Sequence, residues 1–336
     1  MSPYTKYFLK KSFWYFLTII IAISLNFFLP RFIKGNPVSA IVGAIAQGIT
    51  DSNTQKKLYE SFMRDFGLDK PIIVQYFIYL KNLVQGNLGI SFGLYPRSVV
   101  SILKSAIPWT VALQLPAILM GWILGNVLGA FAAYKKGIFD KTIFPVALFV
   151  SSVPFFALSI VLLYIFALNL GWFPIGGGYS YQMIPNLSLR FISSVVKHYT
   201  LPFLSIVIVM IGKQALGMRS MSIYELNADY VLYSKLIGIR DSKIIFYVFR
   251  NAMLPQITGL ALSIGTMMSG ALITEIVFNY PGIGTWMFTA IRQLDFPLIS
   301  GCTLLITIAV LLANFTIEII YGLVDPRIKS AQLEES

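Results

Sequence analysis

The 336-residue chain is 57% hydrophobic and only 12% charged, with a mean hydropathy of +0.74, roughly half the charged fraction an ordinary soluble domain carries. An integral membrane protein is the class that remains. The net charge of +12 is spread over segments that flank apolar runs, which argues against a nucleic-acid partner, and a single cysteine (Cys302) and a single histidine (His198) supply neither an intrachain disulfide nor a cluster of metal ligands.

A bilayer-crossing helix needs about 20 mostly apolar residues, and six runs qualify, roughly 12–30, 110–133, 143–169, 200–217, 256–278 and 298–321. None alternates as a membrane β-strand would, so the expected fold is all-α and polytopic. The first run follows Lys6, Lys10 and Lys11 as the core of a signal peptide would, but Leu25-Asn-Phe-Phe-Leu-Pro30 offers no small-residue cleavage site. A retained span is expected, with 1–30 as an N-terminal unit, 31–109 as an extracytoplasmic region of short helices, and 110–330 as a five-helix core.

The second run contains Gly121, Gly125 and Gly129, a small-residue ladder that lets another helix approach closely. Ala261, Gly265 and Ser269 repeat the pattern in the fifth. Packing inside one subunit is the favoured reading of both ladders; a subunit interface or a path-lining surface is the alternative. The third run carries Pro145 and Pro154 around Ser151-Ser152, where a kink or break is expected, and it closes in Leu170-Gly-Trp-Phe-Pro174 with an interfacial aromatic.

Between the fourth and fifth runs lies a polar stretch, 218–255, holding the compact unit Asp229-Tyr-Val-Leu-Tyr-Ser-Lys-Leu-Ile-Gly238. The i, i+3, i+7 spacing places Tyr230, Tyr233 and Ile237 on one helical face, with Ser234 and Lys235 away from it and Gly238 as a stop. A short helix outside the membrane with one apolar face is suited to docking a partner. A second helical run follows, capped by Asp241 or Ser242 and leaving through Asn251-Ala-Met-Leu-Pro255.

Groups for a translocation path are Ser151, Ser152, Ser263, Thr266, Met267 and Ser269, with Met268 and Asn126 behind them, although hydroxyls bonded to their own helices and methionine as packing filler explain the same residues. Lys213, Glu275 and Glu318 lie toward span ends, where their side chains are expected to reach water or headgroups as anchors or caps. No phosphate-binding Gly-x-x-x-x-Gly-Lys-[Ser/Thr] loop is present, and no nucleophile elbow or His-Glu-x-x-His motif. The chain is therefore not expected to hydrolyse ATP or to act as an enzyme.

Orientation follows from lysine and arginine on short loops. One side collects Lys6, Lys10, Lys11, Lys135, Lys136, Lys141, Arg327 and Lys329 with the basic residues of 213–250; the other has Arg190, Lys197 and Arg292. Both termini are expected in the cytoplasm.

Several motifs stand in a recognisable order: Gly35-Asn-Pro37, Phe66-Gly-Leu-Asp-Lys-Pro71, Val74-Gln-Tyr76, Gly86-Asn-Leu-Gly-Ile-Ser-Phe92, Gly171-Trp-Phe-Pro174, Arg250-Asn-Ala-Met-Leu-Pro255, Glu275-Ile-Val-Phe-Asn-Tyr-Pro-Gly-Ile-Gly284 and Asp325-Pro-Arg327. Across roughly residues 5–330 the chain resembles the permeases of bacterial ABC importers of the oligopeptide/dipeptide family, with Asn36 where the family usually has aspartate. The resemblance implies a type I importer permease with six transmembrane helices. It also implies two separate ATPase subunits that use ATP and Mg, a homologous second permease, an extracytoplasmic solute-binding protein, and an inner-membrane location amid lipid. On that resemblance Asp229, Tyr230, Tyr233, Ser234, Lys235, Ile237 and Gly238 would contact the ATPase, and Ser234, Leu236 and Ile237 make the surface bulkier than the small alanines usual there. Oligopeptide is the first choice of cargo and oligosaccharide the second; a secondary transporter or channel is the alternative of a different class.

Overall fold

In a computed structural model, the described residues are 3–32, 38, 42, 51–135, 137–270 and 272–324; the side chains of 3–10, 52, 65, 258, 261–262, 264–270 and 316–324 lie outside the description. The expected motifs at Gly35–Pro37 and Asp325–Arg327 fall outside it too. Helices dominate, and the described residues hold no β-strand, only an isolated bridge between Ile90 and Ser98.

The chain divides into two compact units, one comprising 1–108, 282–311 and 327–336, the other 109–281 and 312–326. The first holds α1 (Pro3–Phe28) with a 3-10 turn (Leu29–Phe32), α2 (Ser52–Asp65), α3 (Ile72–Val84), the opening of α4 (Val99–Lys135), α11 (Ile283–Gln293) and the first half of α12 (Phe296–Val324). The second holds the rest of α4, α5 (Gly137–Ser152), α6 (Phe155–Leu162) with a π-helical extension (Leu163–Asn169), α7 (Leu189–Leu226), α8 (Asp229–Leu236), α9 (Asp241–Gly270) and α10 (Leu272–Val277).

In the first unit, Asp51 caps α2 by accepting from the backbone N–H groups of Asn53 and Thr54, and Gly67 ends it at φ +63°, a conformation glycine adopts without Cβ strain. Phe62, Phe66, Phe92 and Tyr95 then pack as an aromatic cluster. A buried carboxylate organises the loop that follows. Asp295 accepts from the Ser91 hydroxyl, from Gly93 N–H at 3.0 Å, and from Leu298 N–H at 3.1 Å, so the same side chain pins the 91–94 loop and caps α12. Asn26 on α1 donates to the Ser300 carbonyl at 2.7 Å and accepts from Thr303, joining the first and last helices.

In the second unit, the glycine ladder of α4 lies against α7. A Cβ on Gly121 would sit 2.5 Å from Cβ of Met210, one on Gly125 would sit 2.6 Å from Cβ of Gln214 and 2.8 Å from the Ile211 carbonyl oxygen, and one on Gly129 would overlap the Ala215 backbone. This ladder packs helices of one subunit, as favoured from the sequence. Gly212 does the same for α5, since a Cβ there would lie 2.9 Å from the Ala147 carbonyl oxygen. The second ladder, Ala261, Gly265 and Ser269, lies outside the described side chains.

Apolar helices long enough to cross a membrane are Lys11–Phe32, Val99–Lys135, Leu189–Leu226 and Phe296–Phe315, and α5 with α6 and its extension adds a pair bent by 99°. The described residues therefore supply four spans, or five if the bent pair counts as one. The expected fifth run, 256–278, falls in α9 and α10 on either side of residue 271, with many side chains outside the description.

The break expected around Ser151-Ser152 occurs at Val153-Pro154, because Pro154 cannot donate to the preceding turn and acts as the N-cap of α6, while Pro145 lies inside an unbroken α5. Two local expectations are corrected. Pro255 likewise lies within one helix, α9, and is no exit from a separate run. The fourth run is a single 38-residue helix, about 57 Å at 1.5 Å per residue against about 30 Å of hydrocarbon, so its ends run on well beyond the apolar window.

Candidate docking surface and buried polar groups

The polar stretch 218–255 is almost wholly helical: the end of α7, then α8, then the start of α9. Asn227 and Ala228 make the turn into α8, and Gly238 makes the turn out of it at φ +75°. Val231 is buried against Ile244 and Val248 of α9, with Leu226, Tyr230 and Ile239 around them, so α8 is held by a small apolar core of its own.

That packing decides which face is free. Leu232, Tyr233, Leu236 and Ile237 are exposed, Tyr233 at 65% and Leu236 at 76%, and Asp229, Lys235 and Gly238 are exposed beside them. Two placements differ from the helical-face expectation. Tyr230 turns partly inward, its hydroxyl donating to Glu225 at 2.8 Å; Ser234 is buried on the protein side, 7% exposed. The reason is that Val231 and Ser234, three residues apart, form the face that meets α9, which leaves the outward stripe to Leu232, Tyr233, Leu236 and Ile237. Burial, and then the hydrogen bond to Glu225, push the Tyr230 phenol up to about 12, so it remains a neutral donor across the physiological range.

The candidate path residues do not converge among the described side chains. Ser151 and Ser152 both donate to the Leu148 carbonyl, at 2.8 and 2.9 Å, which is the back-bonding alternative. Ser263 is half-buried and has a partner, while Thr266, Met267 and Ser269 stand on α9 with side chains outside the description. Asn126 is buried and donates to the Trp122 carbonyl at 2.8 Å; its Oδ1 has no partner among the described residues.

Other polar groups come together that the sequence did not single out. Ser159 donates to Ser205 at 3.0 Å and lies 3.3 Å from Thr274 Oγ1, all three fully buried. Gln114 donates to Glu275 at 3.3 Å. Glu275 is 0% exposed, which corrects the expectation that it reaches water: α10 turns it into the protein, where Gln114 meets it. Lys213 lies with its Nζ 4.7 Å from the Phe155 ring centroid, and Glu318 lies outside the described side chains. Among the described residues no group of three or more His, Cys, Asp or Glu side chains is placed to hold a metal ion.

Residues 125–330 match the family described as binding-protein-dependent transport system inner membrane component. The chain belongs to that family. It is an ABC importer permease of the peptide class, a multi-pass protein of the inner membrane. The permease is 32% identical over 320 residues to the di/tripeptide transport system permease protein DppB of Pseudomonas aeruginosa, covering 91% of this chain and 93% of that relative. It is 29% identical over 326 residues to the dipeptide transport system permease protein DppB of Escherichia coli (91% and 93% covered) and 30% identical over 326 residues to that of Bacillus subtilis (96% and 98% covered). The relatives carry peptide transport in their names, and the permease's helical architecture accords with a transport component.

Proposed function

We propose that this permease forms one half of the translocation path of an ATP-driven importer of short peptides, with six spans and both termini in the cytoplasm. A homologous but different permease forms the other half. Two ATPase subunits bind ATP and Mg and receive α8, and an extracytoplasmic solute-binding protein delivers the cargo. The observation that carries the reading is the apolar stripe Leu232, Tyr233, Leu236 and Ile237, exposed on a short helix that is packed on a small core of its own and ends at Gly238. A helix that is packed on one face and apolar on the other is suited to insertion into a groove.

Asp229 and Lys235 border the stripe and give it polar edges, and Tyr230 and Ser234 fix the helix from behind. Ser151, Ser152, Ser263, Thr266, Met267 and Ser269 remain the proposed path-facing groups, with Ser263–Ser269 preferred. Peptides are favoured over oligosaccharides by the names of the relatives, and di- and tripeptides over longer ones for the same reason.

Cysteine labelling tests the orientation on which the docking role depends. With an impermeant thiol reagent applied from outside, cysteines at Asn53 and Ser180 react and one at Ser242 does not; outside labelling at Ser242 would overturn the arrangement. Uptake of a labelled dipeptide in cells depleted of ATP but holding an ion gradient separates the mechanisms: loss of uptake supports the ATP-driven importer, and persistence assigns a secondary carrier.

A further inference from the structure

The first unit contains a half-open cavity of about 370 Å³, within the range of about 300–1,000 Å³ typical of small-molecule sites. Aromatic and aliphatic side chains make up much of its wall, while Arg31, Gln75, Tyr79, Asn82, Asn87 and Ser300 contribute polar groups. Among the described residues no acidic side chain lines it. The guanidinium of Arg31 lies 3.5 Å from the Phe27 ring centroid, and its Nη1 donates to the Phe27 carbonyl at 2.6 Å. Arg31 Nε and Tyr79 Oη are both buried without a hydrogen-bond partner among the described residues. A partly buried cation with an unpaired Nε and no acidic side chain near it among the described residues leaves unmet demand for an anionic oxygen, and the Tyr79 phenol, which has Asn26 near it, stands beside that cation as a second donor.

The surroundings indicate where that oxygen comes from. Arg31 closes the apolar run Lys11–Phe32, so it stands where a membrane span meets the headgroup layer. Helix α3, which supplies Gln75, Tyr79 and Asn82, exposes Ile73, Phe77 and Val84, and Phe32 next to Arg31 is 79% exposed. Apolar surface of this kind around a basic pocket at the end of a span suits acyl chains outside and a phosphate within. We propose that this cavity binds the phosphate group of a membrane phospholipid, with Arg31 and Tyr79 donating to its oxygens and the acyl chains lying along the exposed face of α3. Arg31 brings a positive charge and no acidic side chain among the described lining residues answers it, so phosphatidylglycerol binds more tightly than phosphatidylethanolamine.

Native mass spectrometry of the full chain purified in detergent tests this, with phosphatidylglycerol, diacylglycerol, inorganic phosphate and Ala-Ala dipeptide as separate probes. The wild-type chain retains one phosphatidylglycerol. Arg31→Gln weakens retention about tenfold, the loss expected for one charge-assisted hydrogen bond. Tyr79→Phe keeps the ring packing and weakens retention about threefold, so it decides the matter even if Arg31→Gln folds poorly. Unchanged retention in Tyr79→Phe, or equal retention of diacylglycerol, overturns the proposal. Displacement of the lipid by millimolar phosphate overturns its lipid part, and displacement by Ala-Ala reassigns the cavity to the solute.

Discussion

Arg219 donates to both oxygens of Asp140, from Nε at 2.5 Å and from Nη2 at 2.7 Å, and its guanidinium carbon lies 4.5 Å from the Phe144 ring centroid. The two side chains are about one-fifth exposed, 21% and 19%. This fork joins the first turn of α5 to the last third of α7, the helix that leads directly into α8. The basic residue counted from sequence as a topology signal is also a paired structural residue.

Replacing Asp140 with Ala removes that pair while leaving Arg219 able to reach water. The expected cost is about 1 kcal/mol, as for a well-formed pair near a surface, seen as a drop of about 2–4 °C in the melting temperature of the solubilised permease. Exchanging the charges in Asp140→Arg/Arg219→Asp recovers part of the loss. A melting temperature equal to wild type in the single variant would show that the fork contributes no stability.

The contact of α4 with α7 makes a sharper demand. Gly125→Ala places a methyl group against Gln214 and the Ile211 carbonyl and is expected to cost about 1–3 kcal/mol by overpacking, lowering membrane abundance. Gly259→Ala is the matched control, because no described residue lies within 4 Å of a Cβ there and alanine favours a helix over glycine. Quantitative blotting of the two variants checks the difference; equal abundance would deny the close approach.

Asp295 supports two structures at once. In Asp295→Ala the N–H groups of Gly93 and Leu298 lose their acceptor, at about 1–3 kcal/mol for each buried group left unpaired. Limited proteolysis should then open the 91–97 loop earlier than in wild type. Ser91→Ala, which removes one donor to Asp295 and the acceptor of the Leu94 N–H, is the milder variant. Cleavage at the wild-type rate in Asp295→Ala would mean that the loop is held by something else.

How much of this was legible in the sequence depended on how local the cause was. The helix Asp229–Leu236 and its stop at Gly238 follow from composition and spacing within ten residues, and the ladder at Gly121, Gly125 and Gly129 announces a close neighbour. Which neighbour is not written there: Met210, Gln214 and Ala215 are supplied by a helix far along the chain. The same holds for Asp140 with Arg219, for Ser159 with Ser205 and Thr274, and for Glu275, which hydropathy alone placed near water and which packing turned toward Gln114. Asp295 had a readable signal, an acidic residue ahead of Phe-Pro and an apolar run, the usual form of a helix start. Helix ends were underestimated because hydropathy marks the lipid-embedded part alone, whereas the backbone of α7 continues from Leu189 to Leu226. On α8 the apolar spacing identified an amphipathic helix, but the burial of Val231 and Ser234 against α9 decided the outward stripe.

The docking role of α8 rests chiefly on that stripe, and Tyr233→Asp tests it most directly. Tyr233 is 65% exposed, so the substitution spares the core beneath α8, and the permease should insert at near wild-type abundance. In a desolvated contact with an ATPase, an unpaired aspartate costs several kcal/mol, enough to separate the partners. The measurement is copurification of the ATPase subunits with the tagged permease, read beside ATP-driven dipeptide uptake in the same membranes. Gly238→Val, which forces a β-branched residue to φ +75°, serves as an independent disruption of the same helix. Loss of both copurification and uptake in Tyr233→Asp at normal abundance is the predicted result; normal ATPase recovery with normal uptake would contradict the docking role of α8.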